Sequence, residues 1–171
     1  MSTAQFFFGY FAVMLTGLSV LVVTRKDPIH SVLWMLVLFV HIAGLYLFLN
    51  AEFLAAVQII VYAGAILVLF LFVIMLLNLR NEERVKKFQT QWPLGAGAGA
   101  LLAIFLCLIV GKVIVLAPLG RYSEDAVNGD GNLMAIGKIL YTEYLFPFEV
   151  ASLVLLVAII GAVVLAKRRL E

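Results

Sequence analysis

Side chains able to do chemistry are scarce in the apolar stretches of this 171-residue chain. His41 lies near the middle of one such stretch. Glu52, Gln58 and Tyr62 open another, at steps of four to six residues. Ionisable groups inside hydrocarbon are costly and mark function by default. His41 has two readings. It is a neutral imidazole hydrogen-bonded to a neighbouring helix, or a proton relay, because its charge state is accessible near pH 7. Glu52, Ala55, Ala56, Gln58 or Ile59, and Tyr62 recur at three- and four-residue steps along one helix face. Gln58 and Tyr62 need partners there, since an unpaired polar group in lipid costs several kcal/mol. That face is therefore expected to meet protein or water. His30 is interfacial and reads as structural, and Glu149, just after Pro147, is expected in the first turn of the fifth span, where the helix dipole accounts for it. Cys107 has no second cysteine to pair with, and no Cys or His pair has metal-ligand spacing. No nucleophile–base pair, phosphate loop, haem or iron–sulfur pattern is present, so the chain alone is expected to catalyse nothing.

The elements that position these residues are set by composition. The chain is 65% hydrophobic and 13% charged, against about 45–50% and about 25% in soluble domains. Its mean hydropathy is +1.14. One all-α, polytopic membrane domain over residues 1–171 is predicted, with spans at 4–23, 29–49, 53–79, 94–116 and 148–166. The first has no basic residues before it and reads as a retained helix, not a secretory signal. Asp27 and Pro28 cap and open the second span. Asn50 is expected to cap the third, with Glu52 in its first turn. Gly95, Gly97 and Gly99 suit close helix–helix approach. In the loop 117–145, Leu133, Ile136, Ile139 and Leu140 predict a short amphipathic helix over about 132–141.

Alternating spans place Arg25, Lys26, Arg80, Arg84, Lys86, Lys87, Lys167, Arg168 and Arg169 on one side. Lys112, Arg121 and Lys138 fall on the other. Nine basic residues against three put the C-terminus in the cytoplasm and the N-terminus outside. A net charge of +2 gives no reason to expect a nucleic-acid partner; membrane lipid is the partner that composition implies.

The third apolar run is the longest and the least uniform. Over 27 residues an α-helix extends about 40 Å, against a hydrocarbon core of about 30 Å. Its first half carries Gln58, Tyr62 and Gly64, and its second half is Leu, Val, Ile, Phe and Met. The run NAEFLAAVQIIVYAGAILVLFLFVIMLLN at 50–78 resembles the J subunit of proton-translocating NADH:quinone oxidoreductase, respiratory complex I. Pro28 with the start of the second span, and YLFPFE at 144–149, share the likeness.

The resemblance implies a membrane-arm subunit of the bacterial inner membrane that carries no redox centre. NADH, FMN, iron–sulfur clusters and quinone would be handled by other subunits of the complex. It also implies neighbours: the A, H and K subunits and the antiporter-like subunits. In that family the third helix has a π-bulge near the segment matching Tyr62, Gly64 and Ile66, and switches between bulged and regular forms to gate a water path. Gly64, between two alanines, lowers the steric barrier to such a change. On this reading Tyr62 and Gly64 form a hinge, and Ile66, Leu67 and Val68 a moving apolar gate. The alternatives are a subunit of a multisubunit cation/proton antiporter, which shares related segments, and a structural scaffold with a static small-residue seam.

Overall fold

The computed structural model describes residues 3–77, 92–112 and 131–167. The regular structure in them is helical throughout. Helix α1 covers Thr3–Thr24, α2 Pro28–Phe48 and α3 Glu52–Leu76, α4 covers Trp92–Lys112, α5 Asn132–Thr142 and α6 Leu145–Ala166. Helices α1, α2, α3 and α6 are long and apolar enough to cross a membrane, and the apolar part of α4, Pro93–Ile109, is shorter. Four of the five expected spans are thus present at spanning length among the described residues. Residues 78–79 of the third, 113–116 of the fourth, and the basic residues Arg80, Arg84, Lys86, Lys87, Arg121, Arg168 and Arg169, lie outside them.

The helices fall into two compact units, Met1–Gly120 and Arg121–Glu171. Within the first, α2 packs against both α1 and α3. Gly44 of α2 faces the Phe11 ring of α1, where a Cβ would make ordinary contact at 3.5 Å. Phe7 and Phe11 of α1 pack around Phe48 at 5.1 and 6.2 Å between centroids. On the other side of α2, Val32, Leu67 and Ile74 form a small buried core with Met35, Phe39 and Leu71 against it. Most large apolar side chains remain exposed. An outward apolar surface of this kind suits lipid or neighbouring membrane helices, since helices in a bilayer associate by packing rather than by escape from water.

Local chemistry sets the turns. Asp27 caps α2: its carboxylate accepts the Ile29 N–H at 2.9 Å, and Pro28 occupies the first turn. Its other oxygen pairs with His30 Nδ1 at 3.0 Å. The Ile29 N–H first, and then His30, hold the Asp27 carboxyl below its usual value of 3.8.

The turn between α2 and α3 corrects one expectation. Asn50 does not cap α3; Ala51 takes that position, without a side-chain bond. Asn50 instead adopts a φ of +57°, a left-handed conformation that asparagine tolerates. With it, Ala51 N–H reaches Tyr46 O at 2.8 Å and Asn50 N–H reaches Leu47 O at 3.0 Å. This is a Schellman ending of α2, which satisfies carbonyls that the helix end would otherwise orphan.

In the second unit, α5 is the expected amphipathic helix, one residue longer than predicted. It turns into α6 through Glu143 and Tyr144, both of whose N–H groups bond to Ile139 O. The Tyr141 ring meets Phe148 edge-on at 5.2 Å. Helix α6 begins at Leu145, three residues before the expected start. Pro147 is tolerated because the first bonded N–H is that of Phe148, donating to Tyr144 O at 3.0 Å. Glu149 therefore sits in the second turn, not the first, and the helix-dipole account of it is weakened.

Candidate functional site

The site is built into the middle of α3. After one and a half turns of α-helix from Glu52, the residues Gln58–Ile66 wind as a π-helix, and α-helical winding resumes at Leu67. At the exit, Leu67 N–H donates to Tyr62 O, five residues back instead of four. A π turn fits extra residues into the register and rotates the half of the helix beyond it; one inserted residue corresponds to about 100°.

The buried face of α3 records this shift. It runs Ala55, Gln58, Ala63, Leu67 and Ile74. The step from Gln58 to Ala63 is five residues, where an unbroken α-helix would have placed Tyr62 nearest to Gln58. Of the expected polar face, only Gln58 is buried, with 6% of its surface exposed. Glu52 is exposed in the first turn. Tyr62 is 46% exposed and meets Phe39 of α2 edge-to-face, 6.1 Å between centroids. The structure therefore does not gather Glu52, Gln58 and Tyr62 on one buried stripe: Glu52 is exposed at the helix start, and the π turn carries Tyr62 off the face of Gln58.

Gly64 has a specific reason to be glycine. A Cβ built on it would lie 3.2 Å from Ile59 O, the carbonyl five residues earlier. Any larger residue would force the carbonyl to give way. Beyond Gly64, Ile66 and Val68 are exposed, whereas Leu67 is buried in the core with Val32 and Ile74. The three expected gate residues thus divide: one anchors α3 to α2, and two face outward.

His41 lies on α2, half-buried. Its Nδ1 is 2.8 Å from Val37 O, and its Nε2 is 3.4 Å from the Tyr10 hydroxyl of α1. A carbonyl can only accept, so Nδ1 carries the proton, and in the neutral ring Nε2 accepts from Tyr10. This is the inter-helix bridge of the simpler reading, and Tyr10 is the partner that sequence alone did not identify. Among the described residues no hydrogen bond links His41 to Gln58 or Tyr62. Nor, among them, do three His, Cys, Asp or Glu side chains converge as metal ligands.

Fold and site together define a polytopic helical membrane protein whose distinctive part, among the described residues, is a π turn. Residues 18–165 match the family profile described as NADH-ubiquinone/plastoquinone oxidoreductase chain 6. The chain belongs to that family. It is 37% identical to NADH-quinone oxidoreductase subunit J of Rickettsia conorii, over 96% of this chain and 81% of the relative. It is 38% identical to the subunit of the same name in Rhodobacter capsulatus, over 98% and 84%. Similarity extends to NAD(P)H-quinone oxidoreductase chain 6 of a Nostoc species, 39% identical over 94% and 78%.

Proposed function

We propose that the chain is a non-redox, membrane-arm subunit of a proton-translocating NADH:quinone oxidoreductase, and that α3 couples quinone reduction to proton movement by changing its register. Family membership supports the first part. The π turn at Gln58–Ile66 supports the second, and the observation that carries it is the 3.2 Å approach of Ile59 O to the Cβ position of Gly64. Tyr62 and Gly64 are the hinge. Unwinding the π turn rotates the half beyond it, exchanging Ile66, Leu67 and Val68 at the surface facing α2 and so opening or closing a water path beside Gln58. His41, bridged to Tyr10, is the ionisable group within the bundle available to relay a proton. The subunit would cross the bacterial inner membrane five times with its N-terminus outside, beside the A, H and K subunits and the antiporter-like subunits. The redox groups and quinone would be held elsewhere in the complex.

Gly64→Ala is the direct test. In the π register an alanine Cβ at 64 meets the Ile59 carbonyl, which must give way. That crowding moves α3 towards the α register. The complex should assemble and oxidise NADH with an artificial acceptor at the normal rate, while quinone-linked proton uptake falls severalfold. Identical α3 register in resting and turnover states would sink the gate. A loss of assembly alone would leave the scaffold reading, and recovery of the chain only with antiporter subunits would overturn the family assignment of its function.

A further inference from the structure

A second feature of the first unit lies away from the π turn. A cavity of about 270 Å³ opens where α1 ends and α2 begins, and its far wall is the apolar second half of α3. Arg25, Lys26 and Ser31 stand at its rim, and Val32, Met35 and Ile74 line its depth. Two basic residues above an apolar recess make an amphipathic site. The neighbouring carboxylate, Asp27, is already committed to the Ile29 N–H and to His30. The Arg25 guanidinium is held over the Trp34 ring at 5.5 Å, a cation–π geometry that orders the side chain while leaving its charge available. Among the described residues neither Arg25 nor Lys26 has a carboxylate partner. The volume falls just under the range of about 300–1,000 Å³ usual for ligand pockets, so it suits part of a ligand whose remainder lies outside.

We propose that this cavity binds an anionic phospholipid, with the phosphate at Arg25 and Lys26 and the upper part of an acyl chain against Met35 and Ile74. Charge complementarity at the rim and apolar depth below it match the two ends of such a molecule. Basic pockets between spans on the cytoplasmic side are suited to acidic headgroups. The inference rests on the membrane-embedded reading of the chain and on Arg25 facing the cytoplasm, but not on any movement of α3.

The test uses the assembled complex, exchanged into nanodiscs of phosphatidylcholine, titrated with phosphatidylglycerol and read by native mass spectrometry of lipid retained on this subunit. The full-length chain is measured in parallel, so that a failure of the complex-subunit reading does not mask the result. The native chain should retain one phosphatidylglycerol in preference to phosphatidylcholine. Arg25→Gln with Lys26→Gln should weaken retention roughly thirtyfold, each basic residue near a headgroup contributing about a factor of five. Arg25→Lys with Lys26→Arg should keep it. Met35→Trp, which fills the recess and leaves both charges, should abolish it while NADH oxidation by an artificial acceptor is unchanged. Equal retention of neutral lipid, undiminished retention in the double glutamine variant, displacement by millimolar inorganic phosphate, or a segment of another subunit occupying the recess would each overturn the proposal.

Discussion

Two glycines show how much one missing Cβ can mean. Gly44 and Gly64 are both helical, but the first would place a Cβ in ordinary contact with an aromatic ring, and the second against a backbone carbonyl. Gly44→Ala should therefore leave the α1–α2 packing and pumping unchanged, whereas Gly64→Ala should not; proton uptake by the two variants side by side checks this. The Tyr10–His41 bridge is longer than usual at 3.4 Å. A double-mutant cycle with Tyr10→Phe and His41→Phe should return a coupling of about 0.6 kcal/mol, typical of hydrogen bonds between membrane helices. Asp27 gives a pH dependence whose sign is fixed. Its folded-state carboxyl is held below 3.8, so its stabilisation is complete above the ordinary carboxylate range and is lost as pH falls through the depressed value. Native protein should melt higher than Asp27→Asn at neutral pH, and the gap should close in strong acid.

At the scale of the element, α3 is two α-helical pieces joined by a π turn, and among the described residues it packs on α2 through Leu67 and Ile74. Leu67 is the first residue beyond the turn and also its anchor to α2. Leu67→Ala should destabilise the unit by about 2 kcal/mol, the low end for buried leucine, because lipid replaces part of the lost contact. Reversible unfolding in mixed detergent measures it. The outcome also separates the gate from the scaffold: a gate released from its anchor changes coupling at unchanged assembly. Sequence periodicity predicted the length and polarity of α3 but put Tyr62 on the same face as Gln58. That face assumes a bond from each N–H to the fourth carbonyl back. A single switch to the fifth carbonyl replaces Tyr62 by Ala63, and no pattern of apolar residues announces it. The likeness to a family with a bulged helix did.

For the whole molecule, the charge pattern makes a topological prediction. With Cys107 replaced by alanine, a cysteine at Tyr144 should react with an impermeant maleimide from outside intact cells, and one at Lys167 only after permeabilisation. The reverse would invert the orientation read from nine basic residues against three. Much of the architecture was legible in the residues alone: the helices, their near-boundaries, the Asp27 cap and the short helix after residue 131 all derive from composition and short-range chemistry. Hydrocarbon admits only structures that satisfy their own backbone, so long apolar runs become helices wherever they occur. What sequence could not decide were the contacts between helices. The Tyr10 partner of His41 and the cavity under Arg25 and Lys26 depend on which residues meet across a seam, while the left-handed Asn50 and the early start of α6 rest on local bonds that apolar periodicity does not resolve. The π turn belongs with these. Its residues permit both windings, and the one observed buries Ala63 and Leu67.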